Sequence, residues 1–392
     1  HHDRISGDCP AIEHIVITKP KSAFEIDLRP EDAEFTGRAK IIKMSDVPSK
    51  KAIGFISHGS GSASFNFDTD EKGEYVLTFV FHKSMAKKKQ YMQIHINGKM
   101  YEIFFPETKG FSPLGRQQII VELKEGTNNM TIKNPVATAI DSSYIQYKRM
   151  GDALKEASSM WAKVTHSEEK PITYSICEWG MARPYLWGAK AGSMWRTTPD
   201  IAPNWRSITM IYNRTLKLYK HSGPGHWNDP DMLEIGNGKL DDNENRAHFS
   251  LWCMLAAPLM LGNDIRSFVS NGMPDKDNET LKIVTNKHMI AVDQDSLGKS
   301  AKRIKKESGI DIIARPLSNG DVALCLFNTA SSTKSVNFKL DDLTKDPYLG
   351  IEESPSGYEL HDLWTDERST GTTINATIPK HSTVVYRVKP TI

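Results

Sequence analysis

A change in hydrophobic period along the chain constrains the fold more than any other feature. Residues 23 to 147 show short apolar–polar alternations separated by turn signals such as Asn97-Gly98, a pattern typical of antiparallel strands. From Ile145 strand-like stretches alternate with amphipathic helical patterns, and from Lys299 the short-strand pattern returns. We therefore expect an N-terminal jelly-roll-like β-sandwich over 1–144, an α/β unit over 145–298 and a C-terminal antiparallel β-sandwich over 299–392.

The central segment is predicted to contain four strands that alternate with helices. The strands are Pro171–Ile176, Met194–Thr197, His226–Leu233 and Pro258–Gly262, and the helices are Ile145–Ala157, Trp205–Tyr219, Asn243–Ala257 and Glu279–Val292. Strands that alternate with helices form parallel sheets with right-handed crossovers, so their carboxyl ends meet at one edge. Chemistry-bearing side chains at these ends are therefore expected to lie together.

The charge and hydropathy of the chain exclude two classes of partner. The formal net charge is +2, which offers no broad basic field for nucleic acid or for an anionic membrane surface. The sequence also contains no apolar run near the roughly 18 residues of a membrane-spanning helix. We therefore expect neither a nucleic-acid partner nor a membrane partner.

Three short clusters combine an acid with a tryptophan near predicted strand ends. They are Ser175–Gly180 with Glu178, Met194–Ile201 with Asp200, and Gly225–Leu233 with Asp229 and Asp231. Paired carboxylates carry out proton transfer and nucleophilic attack on glycosidic bonds, and indoles stack on sugar faces. The sequence therefore predicts a glycosidase.

The order of these clusters resembles glycoside hydrolase family 27, whose members include α-galactosidases. The resemblance rests on five motifs: Ser-Ile-Cys-Glu-Trp-Gly at 175–180, Trp-Arg-Thr-Thr-Pro-Asp-Ile at 195–201, Gly-His-Trp-Asn-Asp-Pro-Asp-Met-Leu at 225–233, Asn-Arg-Ala-His-Phe-Ser-Leu-Trp at 245–252 and Ala-Pro-Leu-Met-Leu-Gly-Asn-Asp at 257–264. It extends from about Tyr147 to Ile392. It implies a (β/α)8 TIM barrel followed by a C-terminal antiparallel β domain.

The family's first four barrel strands have no match in this chain. Their Asp-Asp-Gly-Trp motif and the Lys-Tyr-Asp-x-Cys motif that holds the nucleophile are absent from the sequence. The resemblance therefore implies the C-terminal half of a barrel, an inserted carbohydrate-binding-module-like domain before it, and a nucleophile that is missing from the chain. Because a half-barrel has open edges and an apolar inner face, we expect the missing half on another polypeptide segment.

The resemblance assigns roles to the residues of the matched motifs. Asp200 corresponds to the proton donor (acid/base), and Arg196 to a residue that binds sugar hydroxyls and holds Asp200. Glu178 corresponds to the group that contacts the sugar 2-position, and Asp231 borders the sugar pocket. From the residues alone, Asp200 could instead be a helix N-cap, Arg196 a structural ion-pair partner and Glu178 a buried salt-bridged acid.

Three apolar side chains complete the expected substrate-binding set. Trp227 and Met232 are expected either to line the sugar pocket or to belong to the core, and both alternatives stay open. Met181 is bulky and lies near Glu178 in sequence. By the resemblance, small residues at these two positions accompany N-acetylgalactosamine, so galactose is favoured here.

The sequence thus predicts a retaining α-galactosidase that removes terminal α-linked galactose from oligo- or polysaccharides without a cofactor. No metal is expected, because His226 and His248 have no partner at ligand spacing. The alternatives are an inactive or incomplete fragment with only a carbohydrate-binding role, and α-N-acetylgalactosaminidase or β-L-arabinopyranosidase specificity. Family habit implies a periplasmic or extracellular location in a bacterium.

Overall fold

The N-terminal part of the chain is a sandwich of two antiparallel sheets. A computed structural model describes residues 5–82, 90–106 and 114–391, and the chain divides into two units, His1–Gln146 and Tyr147–Ile392. The described strands of the first unit are β1 Ile12–Thr18, β2 Glu25–Leu28, β3 Glu34–Gly37, β4 Lys40–Lys43, β5 Lys51–Gly54, β6 Gly61–Thr69, β7 Gly73–His82, β8 Gln90–Ile96, β9 Lys99–Phe105, β10 Leu114–Leu123 and β11 Gly126–Lys133.

One sheet of this sandwich has the order β10-β7-β1-β5-β4 with β2 beside β1, and the other has the order β3-β6-β11-β8-β9. Alternate side chains of both sheets meet in one buried core, in which Phe79 and Phe81 of the first sheet pack edge-on against Phe105 of the second. Such alternation buries one face of each sheet and leaves the other to solvent. The architecture is the predicted β-sandwich.

Helix α1, Ala139–Thr165, begins before and ends after the predicted Ile145–Ala157. Asp141 explains the earlier start, because its carboxylate accepts hydrogen bonds from the Thr138 backbone N–H and hydroxyl, each at 2.8 Å. This contact satisfies a donor of the first helical turn. Asp141 therefore has a local structural role at the start of α1.

The central region is a parallel sheet surrounded by helices. Its strands are β12 Ser175–Ile176, β13 Met194–Arg196 and β14 Trp227–Asp229, in that spatial order. A single parallel bridge, Leu233 to Leu261, continues the series where the sequence predicts a strand over Pro258–Gly262. The helices are α2 Trp205–Thr215, α3 Asp242–Met254, α4 Glu279–Val284 and α5 Lys287–Asp293, and a small hairpin pairs β15 Val269–Ser270 with β16 Met273–Pro274.

Two further predicted helices are divided differently in the structure. The predicted helix Glu279–Val292 is two helices, because the Asn286 side chain caps α5 by accepting from the His288 and Met289 backbone N–H groups. The predicted helix Trp205–Tyr219 is α-helical only to Thr215 and continues as a 3-10 helix over Leu216–His221.

The C-terminal region is a second antiparallel sandwich. Its strands are β17 Lys302–Glu307, β18 Ile310–Pro316, β19 Val322–Asn328, β20 Lys334–Lys339, β21 Tyr358–Asp362, β22 Arg368–Gly371, β23 Thr373–Ile378 and β24 Thr383–Pro390. One sheet has the order β17-β18-β19-β24-β21-β22, and β20 pairs with β23. The mixed fold of sandwich, barrel-like region and second sandwich agrees with the predicted class.

The barrel-like region and the C-terminal sandwich share one hydrophobic core. Tyr212 of α2 packs edge-on against Phe327 of β19, and its hydroxyl donates to Asp311 of β18 at 2.8 Å. Arg303 donates to the same carboxylate at 2.6 Å. Both partners keep the fully buried Asp311 hydrogen-bonded, so the sandwich supports the helices that surround the sheet. Among the described residues, none of the helices is both long and apolar enough to cross a membrane.

Candidate active site

The candidate site lies at the carboxyl ends of the three parallel strands. Arg196 is the last residue of β13 and pairs in register with Asp229, the last residue of β14. Glu178 follows the end of β12 by two residues. The strand directions therefore bring the first, second and third acid–tryptophan clusters to one edge of the sheet, as predicted.

Arg196 joins two carboxylates of very different exposure. Its Nη2 atom lies 2.5 Å from Asp231 Oδ2 and 3.2 Å from Asp200 Oδ1. The side chains of Arg196 and Asp231 are 11% and 10% exposed, whereas that of Asp200 is 68% exposed. Because one nitrogen contacts both acids, the guanidinium links the exposed carboxylate to the buried one.

Asp231 is held by hydrogen bonds on every side. Its carboxylate accepts from the backbone N–H groups of Ile201 and Met232, each at 2.8 Å, and its own N–H donates to Asp229 Oδ1 at 2.8 Å. Its φ of 84° is a conformation that non-glycine residues rarely adopt. Such strain persists only where the surroundings determine it, which is common at functional sites. The Ile201 contact fixes the segment that carries Asp200.

Asp229 supports this turn from the interior. It is almost fully buried, and burial raises the pKa of its carboxyl group. Its Oδ1 atom accepts from the Asp231 N–H, which bridges the Pro230 turn. Asp229 therefore stabilises the loop backbone.

The structure separates two alternatives for Asp200. Helix α2 has Asn204 as its N-cap, and the Asn204 side chain accepts from the Ser207 N–H at 3.0 Å. Asp200 is therefore not the N-cap of this helix. Its contact within the described residues is the Arg196 guanidinium, and most of its surface faces solvent.

Glu178 and Met181 are the two ends of one tight turn. The Met181 N–H donates to the Glu178 carbonyl at 2.9 Å, and the central residues Trp179 and Gly180 have φ values of 52° and 75°. Positive φ at both central positions is the pattern of a type I′ turn. A Cβ atom on Gly180 would lie 2.2 Å from the Thr197 carbonyl, so only glycine lets the turn pack against the segment after Arg196.

The Glu178 side chain is half-buried beside Tyr147 of α1. Burial, together with the negative charge of Glu178, raises the pKa of the Tyr147 hydroxyl to about 12. That hydroxyl donates to the Cys177 carbonyl at 3.1 Å. Among the described residues, Arg196 pairs with Asp200 and Asp231, and none of the ion pairs includes Glu178. Tyr147 itself was missed by the sequence analysis, because its helical spacing indicated core packing.

The three apolar residues expected to bind substrate differ in exposure and in position. Met181 is 64% exposed and Met232, which follows Asp231, is 38% exposed. Trp227 instead lines a cavity of about 530 Å³ with Met194 and with residues that precede the strands, including Ser193 and Gly225. This cavity lies at the amino ends of the strands, so Trp227 is not brought together with the carboxylates.

Two buried polar atoms near Asp200 lack hydrogen-bond partners among the described residues. They are Arg196 Nε and Thr198 Oγ1. Buried polar atoms are usually paired, and exceptions often mark functional sites or ordered water. Thr198 belongs to a matched motif, but nothing in its residue type indicated a role.

The two histidines of the motifs take part in packing. The His226 ring stacks on Trp195, and its Nδ1 atom lies 3.1 Å from the Pro224 carbonyl. His248 is fully buried, and its Nε2 atom accepts from the Glu234 N–H at 3.0 Å. Burial lowers the pKa of His248 to about 3, which keeps the ring neutral.

Two family models match this chain. A model described as alpha galactosidase A matches residues 138–295, and a model described as the alpha galactosidase C-terminal beta sandwich domain matches residues 307–388. An α-galactosidase of Cyamopsis tetragonoloba is 37% identical over 254 residues, which cover 63% of this chain and 58% of that protein. The chain thus spans somewhat more than half the length of this relative.

Solved structures show the same fold. The α-galactosidase I of Mortierella vinacea aligns with a TM-score of 0.56 at 27% identity, covering 64% of each chain. A Bacteroides fragilis protein with a provisional α-galactosidase assignment aligns with a TM-score of 0.50 at 17% identity, covering 100% of this chain and 97% of that one. At this identity the second alignment supports the fold alone. With the two family models and the strand-end geometry, these matches show that the chain is an α-galactosidase-like member of glycoside hydrolase family 27 with a C-terminal β-sandwich.

Proposed function

We propose that this chain supplies the acid/base side of a retaining α-galactosidase site, with Asp200 as the proton donor. The observation that carries the proposal is the pairing of an exposed carboxylate, Asp200, with a buried guanidinium, Arg196, at the carboxyl ends of parallel strands. The identity of 37% to an α-galactosidase supports the reaction class. The solvent-facing Asp200 can reach a glycosidic oxygen, while Arg196 fixes its direction.

In this proposal Asp200 acts twice. It first donates its proton to the leaving oxygen as the bond to the anomeric carbon breaks, and it then takes a proton from the water that releases the sugar. Arg196 is anchored on buried Asp231, so the guanidinium cannot follow Asp200 when that group changes its charge. The Arg196–Asp231 pair therefore holds the Asp200 carboxyl group in one place through both steps.

The nucleophile, in our proposal, comes from a segment outside these 392 residues. Asp231 is buried, and its carboxylate pairs with Arg196 and accepts from two backbone N–H groups, so we assign it to positioning. Strand β12 has no partner on its outer edge among the described strands. Large apolar side chains of the barrel-like region are exposed, including Ile172, Leu186, Met260, Leu261 and Ile265. Leu261 lies at the opposite edge, beyond β14, so a complementary barrel half would cover both edges of the sheet and add the second carboxylate.

The substrate we propose is a terminal α-linked galactose of an oligo- or polysaccharide. Glu178 and Met181 lie at the ends of the same turn, where a carboxylate would accept a hydrogen bond from a sugar 2-hydroxyl. Two large side chains leave little room for an acetamido group. Comparing turnover of an aryl α-galactoside with that of the matching N-acetylgalactosaminide tests this assignment, and faster turnover of the acetamido sugar would contradict it.

We also propose that the N-terminal sandwich binds carbohydrate and that the protein acts in the periplasm or outside the cell. The outer face of its second sheet carries paired polar side chains, Ser64 with Thr131 and Asn66 with Asn129, which suit sugar hydroxyls. Gel retardation in soluble galactan tests carbohydrate binding, and an Asn66→Ala, Asn129→Ala double variant is expected to be retarded less than the unaltered protein. Cell fractionation tests the location.

The acid/base assignment is tested in the protein with its complete barrel. Asp200→Asn is expected to lower kcat on an α-galactoside by about 10²–10⁴-fold, the usual contribution of a general acid. Asp242→Asn is the matched control, because Asp242 is also exposed but lies in the first turn of α3. Equal rates for Asp200→Asn and the unaltered protein would refute the assignment.

A further inference from the structure

We propose that His288, His361 and Asp366 form a binding site for a divalent transition-metal ion, best suited to Zn²⁺, where helix α5 meets the C-terminal sandwich. These residues lie outside the candidate active site. Their ligand atoms all lie within 4.8 Å of one another. The proposal adds a metal centre that is independent of sugar hydrolysis.

The geometry of the three side chains is close to that of a coordination sphere. Asp366 Oδ1 lies 2.6 Å from His361 Nε2 and 3.3 Å from His288 Nε2, and the two imidazole rings meet at 85° with centroids 4.8 Å apart. A tetrahedral Zn²⁺ with bonds of about 2.0–2.1 Å holds its ligand atoms roughly 3.4 Å apart. To admit the ion, the His361–Asp366 contact must lengthen by less than about 1 Å, and the two imidazole nitrogens, which lie within 4.8 Å of each other, must adopt the same spacing.

The surrounding backbone holds these ligands in place. Asn286 caps α5 through the His288 N–H, and its Nδ2 donates to the Leu363 carbonyl at 3.0 Å. One side chain thus fixes the start of the helix to the turn after β21. Within that turn Asp366 has a φ of 63°, and its N–H donates to the Asp362 carbonyl at 3.0 Å. The carboxylate is thereby directed back toward the strand that carries His361.

The chemistry of the ligands favours a borderline metal. Two imidazole nitrogens and one carboxylate are a typical set for zinc and for other first-row transition metals, whereas Ca²⁺ and Mg²⁺ prefer oxygen alone. Three protein ligands leave a fourth position open. His288 and His361 also line a cavity of about 360 Å³, which gives water or a small anion access to that position. Bound metal would join α5 of the barrel-like region to the β21 strand of the sandwich.

The test uses the chelator-treated full chain, titrated with Zn²⁺ by calorimetry and with Co²⁺ by visible absorption. We expect one high-affinity equivalent of Zn²⁺, a d–d absorption band with Co²⁺ and a higher unfolding temperature with metal, because ligands that bind the folded state stabilise it. His288→Gln, His361→Gln and Asp366→Asn are each expected to weaken Zn²⁺ binding by about 100-fold or more, since even the loss of an outer hydrogen bond costs about 10–100-fold.

The control is His381→Gln. His381 pairs with Glu244 at 2.7 Å, but this pair lacks a third ligand in the described part of the chain. His1 and His2 are kept in every variant, so any binding at the chain terminus is common to all of them. Equal Zn²⁺ affinity in the unaltered chain and His361→Gln would overturn the proposal. So would the absence of saturable Zn²⁺ binding in the unaltered chain.

Discussion

Arg196 connects an exposed acid to the interior of the barrel-like region. One of its nitrogens contacts both the buried Asp231 and the exposed Asp200. The two contacts differ in energy, because an exposed ion pair is worth about 0–1 kcal/mol whereas a buried charge that loses its partner costs several. The stability of the loop therefore depends on Asp231, while the Asp200 carboxylate stays exposed.

This difference gives a prediction at the residue scale. Arg196→Ala is expected to lower the free energy of unfolding by about 3–5 kcal/mol, since it leaves the Asp231 carboxylate buried and unpaired. Asp200→Asn removes the exposed partner of the same guanidinium and is expected to change that free energy by less than about 1 kcal/mol. Urea denaturation of both variants measures the two values. Similar losses in the two variants would contradict the account.

At the element scale, the sequence predicts which strands and helices exist. It predicts less well which end of a strand each residue of a motif occupies. The motif Gly225–Leu233 spans all of β14, and each strand residue advances the chain by about 3.3 Å. Trp227 therefore begins the strand and lines the cavity at its amino end, whereas Asp231 lies beyond its carboxyl end. A nine-residue motif appears as one cluster in sequence but contributes to two places in the fold.

The turn that carries Glu178 provides the prediction for this scale. Gly180→Ala is expected to lower the free energy of unfolding by at least about 2 kcal/mol more than Gly320→Ala. Both glycines have positive φ, at 75° and 87°, so both substitutions strain the backbone. Only at Gly180 would the new methyl group meet a backbone oxygen, at 2.2 Å, while nothing lies within 4 Å at Gly320. Equal losses in thermal denaturation would count against close packing of the turn.

For the whole molecule, the division into sandwich, barrel-like region and second sandwich is predictable because the hydrophobic period changes at both boundaries, near Ile145 and near Lys299. Contacts between segments that are distant in sequence cannot be predicted in this way. The family resemblance places Arg196 near Asp200, yet its shorter contact is with Asp231. His288 and His361 lie on different elements, which the capping and bridging side chain of Asn286 joins. Such pairs have no periodicity or motif that marks them in sequence.

A pH prediction also belongs to the whole molecule, because it concerns global unfolding. His248 has a pKa of about 3 in the folded protein, below the value of about 6.5 for an unfolded chain. Below pH 6.5 this imidazole is protonated in the unfolded chain but stays neutral in the folded protein. The free energy of unfolding therefore falls as the pH decreases toward 3. Each such proton is worth about 1.4 kcal/mol per pH unit.

His248→Gln removes this linkage. The unaltered protein should be the more stable at pH 7, and its advantage should shrink by up to about 3 kcal/mol on going from pH 6.5 to pH 4. His166→Gln serves as the control, since His166 is exposed and its removal opens no space in the core. Denaturant titrations at several pH values measure the difference. A constant difference between the unaltered protein and His248→Gln would show that the buried ring is not the source.

The central claim, that Asp200 donates the proton to the leaving oxygen, is tested most directly by leaving-group dependence. Galactosides of phenols with low pKa need little protonation, whereas alkyl galactosides need the full help of a general acid. In the complete enzyme, Asp200→Asn should therefore retain most of its kcat/KM with a dinitrophenyl α-galactoside and lose about 10²-fold or more with an alkyl α-galactoside. An equal loss with both substrates would contradict the account.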